Sequence, residues 1–205
     1  MALEVELKLA VPVGDLPLLR ACLPAPIREK SLRNIYYDSV DRALERGRRM
    51  LRLRMEEGSA SVVLCFKGPS VHRDGVFRAE EVEWSLDLAQ AAAFSADPRT
   101  QGERLEACLP GLSRHELCVL GEIHVQRSVF SLGRGLVLEM DHVRFSDGGE
   151  DAELEVEAPD ERMEEARGLL GEVLRQAGVR GVDQEHTKYQ RFLACAAGAA
   201  PDQSG

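Results

Sequence analysis

Several features are missing from this 205-residue chain, and each absence narrows what it can do. No apolar run reaches the roughly 18 residues that carry a helix across a bilayer, so no membrane span is expected. The opening residues, Met-Ala-Leu-Glu-Val-Glu-Leu-Lys, lack a basic segment followed by an apolar one, so no secretory leader is expected. There is no basic excess. The 35 acidic and 26 basic residues leave a formal charge of −9, which argues against general binding to nucleic-acid backbone. A local basic pocket for an anion stays open, because arrangement rather than net charge decides that. The five cysteines include no Cys-x-x-Cys pair, and the five histidines no His-x-x-x-His pair. Disulfides and a zinc site are therefore poor readings, and reduced thiols in a cytoplasmic protein fit better.

What is present is a period of two. Residues 3–11 read Leu-Glu-Val-Glu-Leu-Lys-Leu-Ala-Val, the alternation of a strand with two unlike faces. Further strands are expected at about 34–38, 49–56, 61–67, 77–86, 121–131, 136–145 and 152–158. Helices are expected from Asp15, as N-cap, to Leu23, from Asp87 to about Phe94, over about 102–109, from Glu161 to Ala177 and from about Gln184 to Ala196. With 44% hydrophobic and 30% charged residues the profile is that of an ordinary globular protein. The pattern predicts an α+β domain over residues 1–197, built on an antiparallel sheet or barrel, and a flexible tail over 198–205.

Residues two apart on a strand share a face. Glu4, Glu6 and Lys8 therefore point one way, opposite Leu3, Val5, Leu7 and Leu9. Arg52 pairs with Arg54, Glu81 with Glu83, Glu139 with Asp141, and Glu153, Glu155 and Glu157 form one row. On any single strand this describes a wet face and nothing more. Taken together the rows are too purely ionic for that, because like charges side by side repel. A divalent cation relieves a row of carboxylates, whose oxygens magnesium and manganese prefer. Clustered Arg and Lys suit phosphate oxygens. Acids and bases in such rows fit a metal–polyphosphate complex.

The order of these motifs resembles the CYTH superfamily, the triphosphate tunnel metalloenzymes. Glu4-Val5-Glu6-Leu7-Lys8 resembles the Glu-x-Glu-x-Lys signature. Tyr36-Tyr37-Asp38, Arg52-Leu53-Arg54, Lys67-Gly68, Glu81-Val82-Glu83, Arg127, Glu139-Met140-Asp141, Glu153-Leu154-Glu155 and Lys188-Tyr189 follow in the family's order. The resemblance spans about residues 3–190. It implies an eight-stranded antiparallel β-barrel forming a tunnel, with a charged lumen and helices packed outside. It also implies Mg2+- or Mn2+-dependent chemistry on a small-molecule triphosphate. Glu4, Glu6, Asp141, Glu153 and Glu155 are the implied metal ligands. Lys8, Arg52, Arg54, Lys67, Arg127 and Lys188 are the implied substrate-binding residues. Glu81, Glu83 and Glu139 are candidates to orient or deprotonate water. Two departures from the family pattern stand out: Ala79 occupies the place of a middle-strand arginine, with Arg78 one residue removed, and Val125 replaces a second base before Arg127.

The family holds inorganic, thiamine and RNA triphosphatases and a class of adenylate cyclases. The run Arg49-Met50-Leu51-Arg52-Leu53-Arg54 after Tyr-Tyr-Asp looks more like the phosphatase members. A hydrolase of tripolyphosphate, or of thiamine or nucleoside triphosphate, is therefore the expectation. A class IV-type adenylate cyclase and a non-catalytic polyphosphate- or nucleotide-binding barrel are the alternatives.

Overall fold

A computed structural model describes residues 2–108, 110–112 and 116–197. The expected tail over 198–205 lies outside the described residues. Ten strands form: β1 (Ala2–Val11), β2 (Arg28–Ser39), β3 (Met50–Glu56), β4 (Ser61–Lys67), β5 (Val71–Arg73), β6 (Val76–Asp87), β7 (Leu117–Gly133), β8 (Leu136–Phe145), β9 (Glu150–Glu157) and β10 (Val182–Asp183). Six α-helices accompany them: α1 (Leu16–Cys22), α2 (Ala43–Arg46), α3 (Leu88–Ala96), α4 (Gly102–Cys108), α5 (Met163–Ala177) and α6 (Lys188–Ala196). None is long and apolar enough to cross a membrane.

The strands hydrogen-bond in the order β10-β1-β9-β8-β7-β2-β3-β4-β6-β5, and β1 also pairs with β6. That last pairing closes eight strands into an antiparallel β-barrel, with β5 and β10 as short additions. By packing, the chain divides into two compact units that cut across several strands. Among the described residues, one takes in residues 2–3, 32–70 and 79–122, and the other residues 4–31, 71–78 and 123–197.

Each unit has its own apolar core. In the first, Tyr37, Leu51, Leu53, Leu64 and Phe66 of the strands meet Ala91 and Phe94 of α3 and Leu105 of α4. The Tyr37 and Phe94 rings meet edge to face with centroids 4.9 Å apart, an arrangement aromatic quadrupoles favour. In the second, Val5, Leu7, Leu9, Leu138, Met140, Leu154 and Val156 face Met163, Ala166, Leu170 and Leu174 of α5. These are the apolar halves of the alternating strands, so in each unit the helices cover the side opposite the ionic rows. One residue departs from the alternation: Leu3, assigned to the apolar face of β1, is exposed. It precedes the stretch that α5 covers.

Helix ends refine two expectations. Asp15 stands at the N-cap position of α1, as expected, but it also closes a 3-10 turn, Val13–Asp15, and its side chain accepts no capping bond. The last helix starts at Lys188 rather than Gln184. Thr187 accepts from the Gln190 N–H at 3.2 Å and the Gln190 side chain accepts from the Thr187 N–H at 2.8 Å, a capping box. α5 ends as expected at Gly178, whose φ of 66° is cheap only for glycine. Asp38, the acid of the Tyr-Tyr-Asp segment, also has a structural task. It is fully buried and accepts from the N–H groups of Ser39, Leu44 and Glu45 at 2.7, 2.8 and 2.9 Å, which anchors α2.

Leu170 is fully buried in the second core. Leu170→Ala is expected to lower unfolding free energy by roughly 2–5 kcal/mol in urea titrations, as cavity-forming truncations do.

Candidate functional site

In the second unit, strand register gathers acids and bases on one face. Lys8 lies opposite Glu155, and Glu139 lies opposite Glu155 on the next strand. Asp141 lies opposite both Glu153 and Arg127. Asp141 and Glu153 have no exposed surface, and Glu155 is buried. Oxygens of these three carboxylates lie within 4.8 Å of one another, the one fully buried group of this kind among the described residues.

Four cations hold them. Arg127 forms a fork on Asp141, Nε at 2.7 Å and Nη2 at 2.6 Å, and reaches Glu155 at 2.8 Å and Glu139 through Nη1. Lys188, the first residue of α6, pairs with Asp141 at 2.8 Å, with Glu155 at 3.0 Å and with Glu153. Lys8 pairs with Glu6 and Glu155. Arg191 bonds Asp151 and Glu153, both at 2.6 Å, and the His186 carbonyl at 2.6 Å.

Burial disfavours every one of these charges, and the partners decide the outcome. Burial works to raise Asp141 and Glu155, but Lys188 and Arg127 on both, with Lys8 on Glu155, hold them below the usual carboxylate range. For Glu153 burial wins over Lys188 and Arg191, and its carboxyl is pushed up. Lys8 and Lys188 sit above the usual lysine value, since their carboxylate neighbours outweigh burial. Six carboxylates (Glu6, Glu139, Asp141, Asp151, Glu153, Glu155) meet four cations (Lys8, Arg127, Lys188, Arg191), an excess of two negative charges among these ten. A hard divalent cation has that charge, and carboxylate oxygens at this mutual spacing are its preferred donors. The residues therefore fit magnesium or manganese.

The first unit carries the remaining expected residues. Tyr36 lies opposite Arg52, Arg52 opposite Cys65, and Cys65 opposite Glu83. Lys67 lies opposite Glu81. Arg52 is 6% exposed, with Nη2 3.9 Å from both Glu81 and Glu83. Its buried Nε has no hydrogen-bond partner among the described residues. Arg54 donates to Asn34 at 3.1 Å, and Lys67 lies 3.5 Å from Glu81. The Cys65 thiol donates to Glu81 at 2.7 Å, and burial pushes it up to about 12, so it is a hydrogen-bond donor and not a nucleophile.

The structure thus distributes the expected site residues. Glu6, Lys8, Arg127, Glu139, Asp141, Glu153, Glu155 and Lys188 come together in the second unit, with Glu4 partly buried on the same strand. Arg52, Arg54, Lys67, Glu81 and Glu83 belong to the first. Arg78 takes no part. It faces away and donates to Asp160 at 2.9 Å. Glu157 is exposed at the end of its row. Arg191 and Asp151 were missed. The usable signal was Lys188-x-x-Arg191, whose i, i+3 spacing puts two cations on one helical face.

The CYTH domain sequence pattern matches residues 2–189. The chain belongs to the CYTH domain family. No curated protein sequence matches it. Among solved structures, this CYTH chain is similar to HpAC1 from Hippeastrum, described as an adenylyl cyclase candidate with a dominant triphosphatase activity. The TM-score is 0.85 at 25% identity, over 94% of this chain and 96% of that one. An adenylate cyclase candidate from Bacillus halodurans gives a TM-score of 0.72 at 25% identity, covering 94% and 99%. PH1819 from Pyrococcus horikoshii gives 0.64 at 20% identity over 94% and 99%, a likeness of fold alone.

Arg191→Ala leaves Asp151 and Glu153 short of a buried partner. It is expected to cost roughly 3–5 kcal/mol in urea unfolding at neutral pH. The loss should shrink as the pH falls. Glu153, whose pKa is already raised, then takes up a proton and no longer needs the cation.

Proposed function

We propose that this CYTH protein is a metal-dependent hydrolase of a small-molecule triphosphate, with tripolyphosphate the first candidate substrate. The observation that carries the reading is the buried trio Asp141, Glu153 and Glu155, set in an acid excess of two. A barrel that only bound an anion would need the bases and gain nothing from such acids. The dominant triphosphatase activity of HpAC1 supports hydrolysis over cyclisation.

Asp141, Glu153 and Glu155, with Glu4 and Glu6, would hold magnesium or manganese. When bound, such an ion neutralises phosphate oxygens and polarises the phosphorus centre. The chain's own residues do the rest. Arg52, Arg54 and Lys67 bind phosphate oxygens, and Arg52 offers a buried N–H that has no hydrogen-bond partner among the described residues. Lys8, Arg127 and Lys188 keep Asp141 and Glu155 ionised and orient them. They add positive charge where leaving-group oxygens gather it. Glu81, Glu83 and Glu139 are the water-orienting candidates. Five free thiols suit a reducing compartment, and we assign the protein to the cytoplasm on that ground.

The test is phosphate release from tripolyphosphate, thiamine triphosphate and ATP, with magnesium or manganese and again in excess chelator. Activity is expected with metal and not with chelator. Turnover that chelator leaves intact overturns the metal assignment, and cyclic AMP without phosphate release from ATP favours the cyclase alternative. Arg52→Ala is expected to raise KM by about tenfold or more, the worth of one charge-assisted contact. Glu155→Gln should lower kcat far more than it raises KM. Equal kcat in Glu155→Gln and the parent would remove this carboxylate from the metal set.

A further inference from the structure

The hairpin of β5 and β6 carries an aromatic pair that the function above leaves unused. Its turn is Asp74-Gly75, with φ of 51° and 70°, the left-handed form that matches hairpin twist. The turn is fixed against β1. The Gly75 carbonyl accepts from the Lys8 N–H at 2.8 Å. A Cβ added at Gly75 would fall 2.9 Å from the Lys8 carbonyl oxygen and 2.7 Å from Asp183 Oδ1. Arg167 ties the same place together, donating to Asp183 at 2.7 Å and to the Asp74 carbonyl.

Phe77 turns the opposite way from its neighbour Arg78. It is buried, and Lys8 Nζ lies over its ring, 5.8 Å from the centroid. His72 stands opposite Phe77 in the register of β5 and β6. The two rings stack with centroids 5.1 Å apart and planes 17° from parallel. Phe77 is covered, while His72 is exposed. Phe77 is therefore met by a buried cation, Lys8, and by an exposed flat ring, His72. Stacking on Phe77 holds the imidazole at a fixed angle and occupies one of its two faces. The other face is a preformed platform for a further ring.

We propose that His72 is a specificity residue, which stacks on the aromatic ring of an organic triphosphate whose phosphates approach Lys8. The ligand class is ring-bearing triphosphates, either a nucleoside triphosphate or thiamine triphosphate. This deepens the hydrolase reading above and rests on it. Inorganic tripolyphosphate uses the cation and has no use for the platform, so it serves as an internal reference.

The experiment measures kcat/KM for ATP, thiamine triphosphate and tripolyphosphate on the parent, His72→Ala and His72→Phe. His72→Ala is expected to lower the preference for a ring-bearing substrate over tripolyphosphate by about fivefold or more, the worth of one base–aromatic stack, and to do so through KM. His72→Phe keeps a flat ring and should retain the preference. A fall with ATP alone identifies a purine-bearing substrate, and a fall with thiamine triphosphate alone identifies thiamine. A preference that does not move overturns the proposal, including the case where all three substrates decline together because the hairpin is damaged. If the parent hydrolyses none of the three, the hydrolase reading fails by itself. The ratio of ATP to tripolyphosphate dissociation constants by calorimetry then tests His72, with the same drop expected and an unmoved ratio overturning it.

Discussion

Three carboxylates whose oxygens lie within 4.8 Å of one another do not stay ionised away from water unless cations hold them there. Much of the second unit follows from that constraint. β7 brings Arg127, β1 brings Lys8, and α6 brings both Lys188 and Arg191 against one row of acids. The helix is thus tied to the sheet by charge, and its Phe192 is buried. Arrangements of this kind contribute little net stability, because desolvation consumes most of the attraction. What they fix is geometry: each carboxylate is held by a cation that itself has few alternatives.

The two units hold their ion pairs at different distances. Around Asp141 the acids are closely engaged by cations. Around Arg52 the ion pairs are long, 3.9 Å to Glu81 and to Glu83. A buried guanidinium N–H without a partner carries a cost of about 1–3 kcal/mol. In the proposed reading the Arg52 Nε–H, which has no hydrogen-bond partner among the described residues, is a donor for a phosphate oxygen. Cys65 fits this picture, since its thiol donates to Glu81 and so limits how fully that carboxylate can neutralise Arg52.

Much of this was legible in the sequence, and the parts that were not share a cause. Period-two patterning located the eight long strands because apolar residues recur at every second position along one face of each. It missed β5 and β10, which have three and two residues, too few to show a period. It started β2 late, since Arg28-Glu29-Lys30-Ser31 has no apolar member to mark a face. Parity also explained Arg78. In a regular strand a basic residue one position off points to the other side, and there it met Asp160. Arg191 escaped because a charged residue on a helix usually faces water, and only packing shows that this one turns toward Glu153. Tyr-Tyr-Asp was read as one motif, yet its members separate. Tyr37 enters the core, Asp38 caps α2, and Tyr36 alone lies opposite Arg52.

The brevity of β5 and β10 has a consequence for how copies of this chain meet one another. Sheets aggregate through their free edges, where a row of unpaired N–H and C=O groups can template a foreign strand. Here β1 and β6 pair with each other, and beyond them the hydrogen-bonded order ends at β10 and β5. Among the described residues, β5 and β10 offer an incoming chain three and two residues to pair with. The Asp74-Gly75 turn and the Arg167–Asp183 ion pair occupy the ground beside them. A protein this rich in long, β-prone strands is therefore shielded from edge-to-edge association by the two smallest pieces of its sheet.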